Sequence, residues 1–499
     1  MFHRSSCSRY DPAMLGHYIN NKFLKPSPKA STFVVDNPAT GETIAVLPKA
    51  GRREVNLAVA SATAAALDWR RLSASDKAEM LHEASRKMRR HASTLIELLT
   101  LEQGKPHLEN EEEVVWSYNT FDYYAELGRH SRGRVLPSTE YGVLNMVIKE
   151  PYGVVGCIVP WNYPLLLLAW KLAPALAAGN TVVIKPSELT PLPTLSLCEV
   201  AFDHFPAGVV NVVLGDGSAG EALVRHPDVP MIAFTGSLAT GQKIASHAAP
   251  RMKKVHLELG GKDAFVIADD ADPRLAAKAV AYAGLINAGQ VCTSTERIYV
   301  SARIAKPFTV ALVDLVRGLK IGAGADPTTD IGPMIGTRYR EKTVRHLADA
   351  KRRGTRVLAG GKVVQGRGYF HQPTVLVGCD HTMKIMTEET FGPALPIMTY
   401  RTFDEAIALA NDCIYGLGAC LYTSDAKKVH AFYENVKAGT IWINDPLTDN
   451  YAGPFGGMKY TGGGRELGEE GLDEFRETKH VHWDIEAKPK SWWLPYGRP

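Results

Sequence analysis

Cys292, Glu258 and Asn162 are the residues whose types and surroundings suit acyl-transfer chemistry. Cys292 lies in Asn287-Ala288-Gly289-Gln290-Val291-Cys292-Thr293, a glycine-containing break after a helical stretch. A thiol on such a turn can point into a cleft, and a thiolate is a strong nucleophile once its pKa is lowered. A lone cysteine is otherwise more often a small packed hydrophobe. Glu258, in Val255-His256-Leu257-Glu258-Leu259-Gly260-Gly261-Lys262, has apolar neighbours and precedes a Gly-Gly turn. Those surroundings raise a carboxyl pKa, as a general base acting on water requires. The alternative is an ion pair with Lys254 or Lys262 at a strand end. Asn162 stands in Pro160-Trp161-Asn162-Tyr163-Pro164, after the β-rich run Val154–Val159, with its backbone restricted by the prolines. A fixed amide NH2 is the donor an oxyanion needs, although an asparagine there could equally cap the following helix.

Three segments could hold a dinucleotide. Gly215-Asp216-Gly217-Ser218-Ala219-Gly220 is a literal G-x-G-x-x-G after the run Val209–Leu214, but no convincing acidic residue follows at the required spacing. Phe234-Thr235-Gly236-Ser237 runs from a strand end into a helix whose first N–H groups could hold a pyrophosphate. In Ile184-Lys185-Pro186-Ser187-Glu188, Lys185 and Glu188 could both reach a ribose. The acidic residue here precedes the glycine turns, the reverse of the usual dinucleotide order, so a standard Rossmann fingerprint is absent.

Positioning these residues takes a large framework. The 499 residues suggest two to three domains. A net charge of +4 over that length gives no nucleic-acid or membrane-surface signal. Met1 to Leu15 have no apolar core of the kind an export signal needs. The most apolar stretch, Trp161 to Ala178, is broken by Pro164, Lys171 and Pro174, and reads as a strand end leading into a core helix. The seven cysteines form no C-x-x-C pair, so no metal site is expected, and free thiols point to a reducing, cytoplasmic setting. Residues 1 to about 30 read as an irregular arm. Helical periodicity follows from Arg52 to about Leu101. From Asn145, the runs Val154–Val159, Thr181–Ile184, Val209–Leu214 and Met231–Phe234 alternate with helical segments, the pattern of parallel βαβ units. A second alternating region opens near Asp263, with a helix over Pro273–Gln290, and ends with the strand Thr440–Ile443. After Glu466 come a short helix and an aromatic tail, Val481-His482-Trp483 and Trp492-Trp493-Leu494-Pro495-Tyr496, which needs a packing partner, plausibly another subunit.

Taken together, Asn37–Glu42, Pro160–Pro164, Lys185–Glu188, Phe234–Ser237, Leu257–Lys262, Gly289–Cys292, Glu388–Pro393 and Pro454–Gly457 resemble the aldehyde dehydrogenase superfamily in order and approximate spacing, over about residues 17 to 485. The resemblance implies an NAD(P)-dependent oxidoreductase in which Cys292 attacks the aldehyde carbon. Asn162 and the Cys292 N–H would hold the oxyanion, hydride would pass to the nicotinamide, and Glu258 would activate the water that hydrolyses the thioester. It implies cofactor contacts from Lys185, Ser187, Glu188, Trp161, Gly215, Gly236, Ser237, Leu259, Glu389 and Phe391. NAD is preferred over NADP because the Glu188 carboxylate repels a 2′-phosphate. The fold implied is α/β. A Rossmann-like cofactor-binding domain covers residues 1–128 and 150–260, an α/β catalytic domain 261–460, and a small β oligomerisation element 129–149 with 478–488. A homodimer or homotetramer follows from that element.

For the substrate, Tyr163 and Trp170 match two aromatics of the box that holds trimethylammonium groups in betaine aldehyde dehydrogenases, where cation–π attraction operates. Asp445 and Asp449 would line the channel mouth. Against this, Ile286 and Phe455 stand where that group usually carries tryptophans, and aromatics at Tyr163, Trp170 and Phe455 are also frequent in general aldehyde dehydrogenases. An amino- or betaine-type aldehyde is still expected ahead of a hydrophobic or aromatic one. A CoA-acylating enzyme or a non-catalytic, crystallin-like protein is disfavoured, since Cys292, Glu258 and Asn162 are all present.

Overall fold

The computed structural model describes residues 16–130 and 133–496. Residues 1–15 of the expected irregular arm, Cys7 among them, lie outside the described residues. The remainder of the arm corrects that expectation. Tyr18–Ile19 and Lys22–Phe23 form a hairpin turned by Asn20 and Asn21, with φ of 54° and 57°, a left-handed conformation that asparagine tolerates. Tyr18 is buried and pairs with Val212, so the hairpin extends a sheet.

That sheet runs in the order Lys254–Leu259, Met231–Gly236, Val154–Ile158, Thr181–Lys185, Val210–Val212 and the hairpin, and its first five strands are parallel. Val154–Ile158 and Thr181–Lys185 are buried at every residue, as continuous apolar strands covered on both faces must be. Helices Arg52–Arg71 and Gly217–Arg225 pack on the sheet, as does Pro164–Ala178. The last of these opens on Pro164 in its first turn and stops at Gly179, whose φ of 97° suits a residue without a Cβ. Chain order reverses between Val154–Ile158 and Met231–Gly236. A crevice at the carboxyl ends of two such strands is where open α/β sheets bind ligands.

A second sheet has the order Arg356–Ala359, Thr374–Val377, Ala394–Tyr400, Thr295–Ser301, Asp263–Ile267, Gly418–Tyr422, Thr440–Ile443, and all but the first strand are parallel. The chain leaves the first sheet at Leu259 and enters the second at Asp263. The turn between them is tightly packed, most strictly at Gly261, where the near atom is backbone. A Cβ on Gly260 would lie 2.2 Å from Glu389 Oε1, and one on Gly261 would lie 2.6 Å from the Cys292 carbonyl oxygen. A third, antiparallel sheet joins Arg476–Asp484 to Val143–Pro151 over nine residue pairs and adds Arg134–Leu136 at its other side. Together these are the mixed α/β sheets and helices expected of the fold.

Candidate active site

The expected helix over Pro273–Gln290 stops at Leu285 and gives way to a tight turn, Ile286–Gly289. Asn287, Ala288 and Gly289 are all left-handed, at φ 50°, 53° and 73°, a strained run that persists only where its surroundings over-determine it. They do so here. The Asn287 N–H donates to Glu109 Oε2 at 2.8 Å, Asn287 Nδ2 donates to the carbonyls of Asn162 and Gln290 at 3.1 Å each, and Ile335 N donates to Gln290 Oε1 at 2.9 Å. Cys292 follows, partly exposed. Burial, then the carboxylates of Glu258, Asp263, Asp449 and Glu466, push its thiol well above the ordinary value. At neutral pH the group is therefore a thiol.

Asn162 is buried, and its Nδ2 donates to the Gln290 carbonyl at 3.2 Å, two residues before Cys292. It does not cap the following helix, whose N-cap is Tyr163 with no side-chain bond. One amide hydrogen is thus committed to orientation and the second remains available. Glu258 is buried too, and neither ion pair considered for it forms. Lys254 binds Glu474 at 2.6 Å and Lys262 binds Glu296 at 2.5 Å. Its carboxyl is raised well above the usual range, first by burial and then by the charge of Glu466, with Lys171 and Arg465 opposing. Glu258 Oε1 has no hydrogen-bond partner within the protein. Lys171 Nζ in turn holds Glu466 and, at 2.5 Å, Thr235 Oγ1.

Two cavities meet at Cys292. The larger, about 1130 Å³, lies at the carboxyl ends of the first sheet's strands and is lined by Trp161, Asn162, Lys185, Ser187, Glu188, Gly236, Ser237, Leu259, Glu389 and Phe391. Lys185 Nζ and Glu188 Oε2 are 3.2 Å apart at one end. In the middle, Ser237 caps the helix Leu238–Ala248 by accepting from Thr240 N. Trp161 and Phe391 meet edge to face at 5.4 Å, and burial pushes Glu389 up to about 7. A ribose clamp, a helix N-terminus and an aromatic wall in that order fit a dinucleotide. Gly215 does not line this cavity. Its φ of 143° makes the turn, and Gly217 and Gly220 form the wall instead.

The smaller cavity, about 110 Å³, is lined by Tyr163, Trp170, Phe455, Ile286 and Asp449, and by four residues on one face of the helix His107–His130: Glu109, Glu112, Glu113 and Trp116. Tyr282, Leu447 and Cys292 also border it, and no lysine, arginine or histidine does so among the described residues. Trp170 and Phe455 pack at 4.9 Å. Tyr163 is not an open aromatic face on both sides, because Lys105 Nζ sits 3.9 Å from its ring centre. Burial raises Glu109 to about 8 and Asp449 to about 7. Asp445 is exposed and stands outside the lining, its charge felt at Tyr282. Sequence reasoning missed Glu109, Glu112, Glu113 and Trp116, although their i, i+3, i+4, i+7 spacing was a helical-face signal. It also passed over Lys171 as a possible site residue, despite its being a single charge in an apolar helix.

The aldehyde dehydrogenase family profile matches residues 24–481. A mitochondrial succinate-semialdehyde dehydrogenase of Arabidopsis thaliana is 39% identical over 90% of this chain and 86% of its own. A betaine aldehyde dehydrogenase of Bacillus subtilis (strain 168) is 37% identical over 91% and 95%. A solved betaine aldehyde dehydrogenase from Staphylococcus aureus in complex with NAD+ superposes with TM-score 0.95 at 36% identity, covering 99% of both chains.

Proposed function

This chain belongs to the aldehyde dehydrogenase family and oxidises aldehydes, and we propose that it does so with NAD as cofactor, Cys292 as nucleophile and a cationic aldehyde as substrate. The observation that carries the reading is that Cys292 borders both cavities, one sized for a dinucleotide and one for a small molecule. The partly exposed Cys292 thiol gives its proton to solvent, and attack of the resulting thiolate on the aldehyde carbon places negative charge on the carbonyl oxygen. The free hydrogen of Asn162 Nδ2 and the Cys292 N–H stabilise it. NAD, bound along Lys185, Ser187, Glu188, Ser237 and Glu389, supplies the hydride acceptor. The acyl group is then held on Cys292 as a thioester, and Glu258 takes a proton from the attacking water. Glu188 disfavours a 2′-phosphate, which supports NAD over NADP.

The substrate class rests on charge. A succinate-semialdehyde chain ends in a carboxylate, which in the smaller cavity would meet Glu109, Glu112 and Asp449 with no cation lining the wall to receive it. An amino or trimethylammonium group meets those acids and the faces of Trp116 and Trp170, an arrangement suited to an organic cation. The aromatic lining also favours a second reading, a neutral aromatic aldehyde. The test is NADH formation over a panel of betaine aldehyde, aminoaldehydes, succinate semialdehyde, hexanal and benzaldehyde, with Cys292→Ala as control. The cationic aldehydes should lead in kcat/KM and succinate semialdehyde should trail. Parity between the cations and hexanal or benzaldehyde would sink the cationic reading, and activity in Cys292→Ala would sink the nucleophile.

The division into cofactor-binding (1–128, 150–260), catalytic (261–460) and oligomerisation (129–149, 478–488) parts is proposed with this function, as is a cytoplasmic setting. No helix among the described residues is long and apolar enough to cross a membrane. A homodimer or homotetramer is supported by the strand Arg476–Asp484, which pairs only with Val143–Pro151 among the described residues. Exposed Trp483, Ile485, Trp492, Trp493, Leu494 and Tyr496 adjoin it.

A further inference from the structure

We propose that Lys105 is a positioning residue for the oxyanion donor, acting through the backbone of Asn162. The inference rests on the reading of Asn162 and Cys292 given above. Lys105 has no exposed side-chain surface, and its ammonium makes three contacts. It forms an ion pair with the equally buried Glu113, donates to the Asn162 carbonyl oxygen at 3.1 Å and lies 3.9 Å over the Tyr163 ring. The other oxygen of Glu113 accepts from Leu165 N at 2.9 Å and Leu166 N at 3.2 Å, the first turn of the helix that Asn162 and Tyr163 lead into. One buried ion pair therefore grips the segment 162–166 at both ends.

The same segment is tied to the nucleophile turn. Lys105 N donates to Gln103 Oε1 at 2.9 Å, Gln103 Nε2 donates to Asn287 Oδ1 at 2.7 Å, and Asn287 Nδ2 donates to the Asn162 carbonyl that Lys105 also holds. The backbone reaches this place only through Gly104, with φ 95°, where a Cβ would lie 2.7 Å from Pro333 and from Pro38. A buried charge pair is poor evidence for stability, since apolar replacements often do as well. Its worth here is geometric, because an oxyanion donor must be held to a fraction of an ångström.

The test is a double-mutant cycle on the rate of the first-turnover NADH burst, with Lys105→Met, Asn162→Ala and the pair. Each single change should slow the burst about 100-fold. If Lys105 acts through Asn162, the double variant falls no further than the slower single. Lys105→Met should lower the burst rate constant with the burst amplitude and the aldehyde KM little changed, whereas loss of stability alone would lower the amplitude and leave the rate constant as it was. Multiplying effects, or an unchanged burst in Lys105→Met, would overturn the proposal. Should Lys105→Met fail to fold, Glu113→Gln takes its place. It keeps an acceptor for Leu165 and Leu166 while loosening Lys105, and the same non-additivity with Asn162→Ala is required. If Asn162→Ala alone leaves the burst intact, it is the oxyanion reading that fails, not the link to Lys105.

Discussion

At the scale of single residues, burial and neighbouring charge shift the two reactive groups of the site in the same direction. The Cys292 thiol and the Glu258 carboxyl are both raised, and each is raised partly by neighbouring negative charge. The Glu258 carboxylate is among the charges that raise the Cys292 thiol, whereas the charge that raises Glu258 is that of Glu466. Replacing Glu258 by Gln deletes a charge that raises the Cys292 pKa, so the pH profile for alkylation of Cys292 by iodoacetamide should move to lower pH. The same variant should retain the NADH burst yet lose steady turnover by about 100-fold or more, because only the hydrolytic step uses the base. An upward or absent shift in the alkylation profile would show that Glu258 does not face the thiol. The acids of the smaller cavity carry their own pH signature. Asp449 near 7 and Glu109 near 8 are part-protonated at neutrality, and only their ionised forms attract a cation. For a cationic aldehyde, kcat/KM should therefore rise as pH increases through 7 to 8 in excess of any rise for hexanal. Asp449→Asn should remove the part of that excess centred near 7, and an excess unchanged in Asp449→Asn would assign it elsewhere.

At the scale of elements, the turn Ile286–Gly289 decides where Cys292 points. Gly289 combines a φ of 73° with a position where a Cβ would lie 2.4 Å from the Gly392 carbonyl oxygen. Gly289→Ala should cost about 1–2 kcal/mol for the left-handed Cβ and about 1–3 kcal/mol more for the overlap. Thermal unfolding checks the loss, and alkylation of Cys292 at fixed pH checks whether the thiol has moved. An unchanged melting temperature would mean the turn relaxes freely. The elements differ in how far the sequence reveals them. Val154–Ile158, Thr181–Lys185 and Thr440–Ile443 were legible because their apolar runs are bounded by turns, whereas Cys292, Glu258 and Asn162 each had a competing structural explanation locally and were singled out only by the order of the motifs around them. The hairpin Tyr18–Phe23 was not, since two-residue strands leave no alternation to read and their pairing with Val212 is tertiary. The face made by Glu109, Glu112 and Trp116 is helical by spacing, but its orientation toward Cys292 is fixed by tertiary packing, against Ala74–Arg90 as well as Pro164–Ala178. Lys105 was invisible for a like reason: a lysine after glycine reads as a surface turn until Glu113 and the Asn162 carbonyl are brought to it.

At the scale of the whole molecule, the two large sheets meet at the Gly260-Gly261 turn, and the aromatic tail is left over. The strand Arg476–Asp484 is nine residues long and largely exposed. An unpaired strand edge beside apolar side chains is a liability that proteins cover, and among the described residues the strand Thr440–Ile443 ends the second sheet, paired on one side. A second copy laid against these edges would bury Trp483, 53% exposed in the single chain. Only about half of that side chain is left to bury, so placing a charge there removes roughly 1–1.5 kcal/mol, and a two-fold interface counts the loss twice. Trp483→Glu should therefore weaken self-association by about 100-fold, read as a shift toward single chains in sedimentation equilibrium. No residue of 476–496 lines either cavity, so activity per chain should survive in the dissociated form. A chain that sediments as a monomer before any substitution, or an assembly indifferent to Trp483→Glu, would place the interface elsewhere and leave the aromatic tail to a different partner.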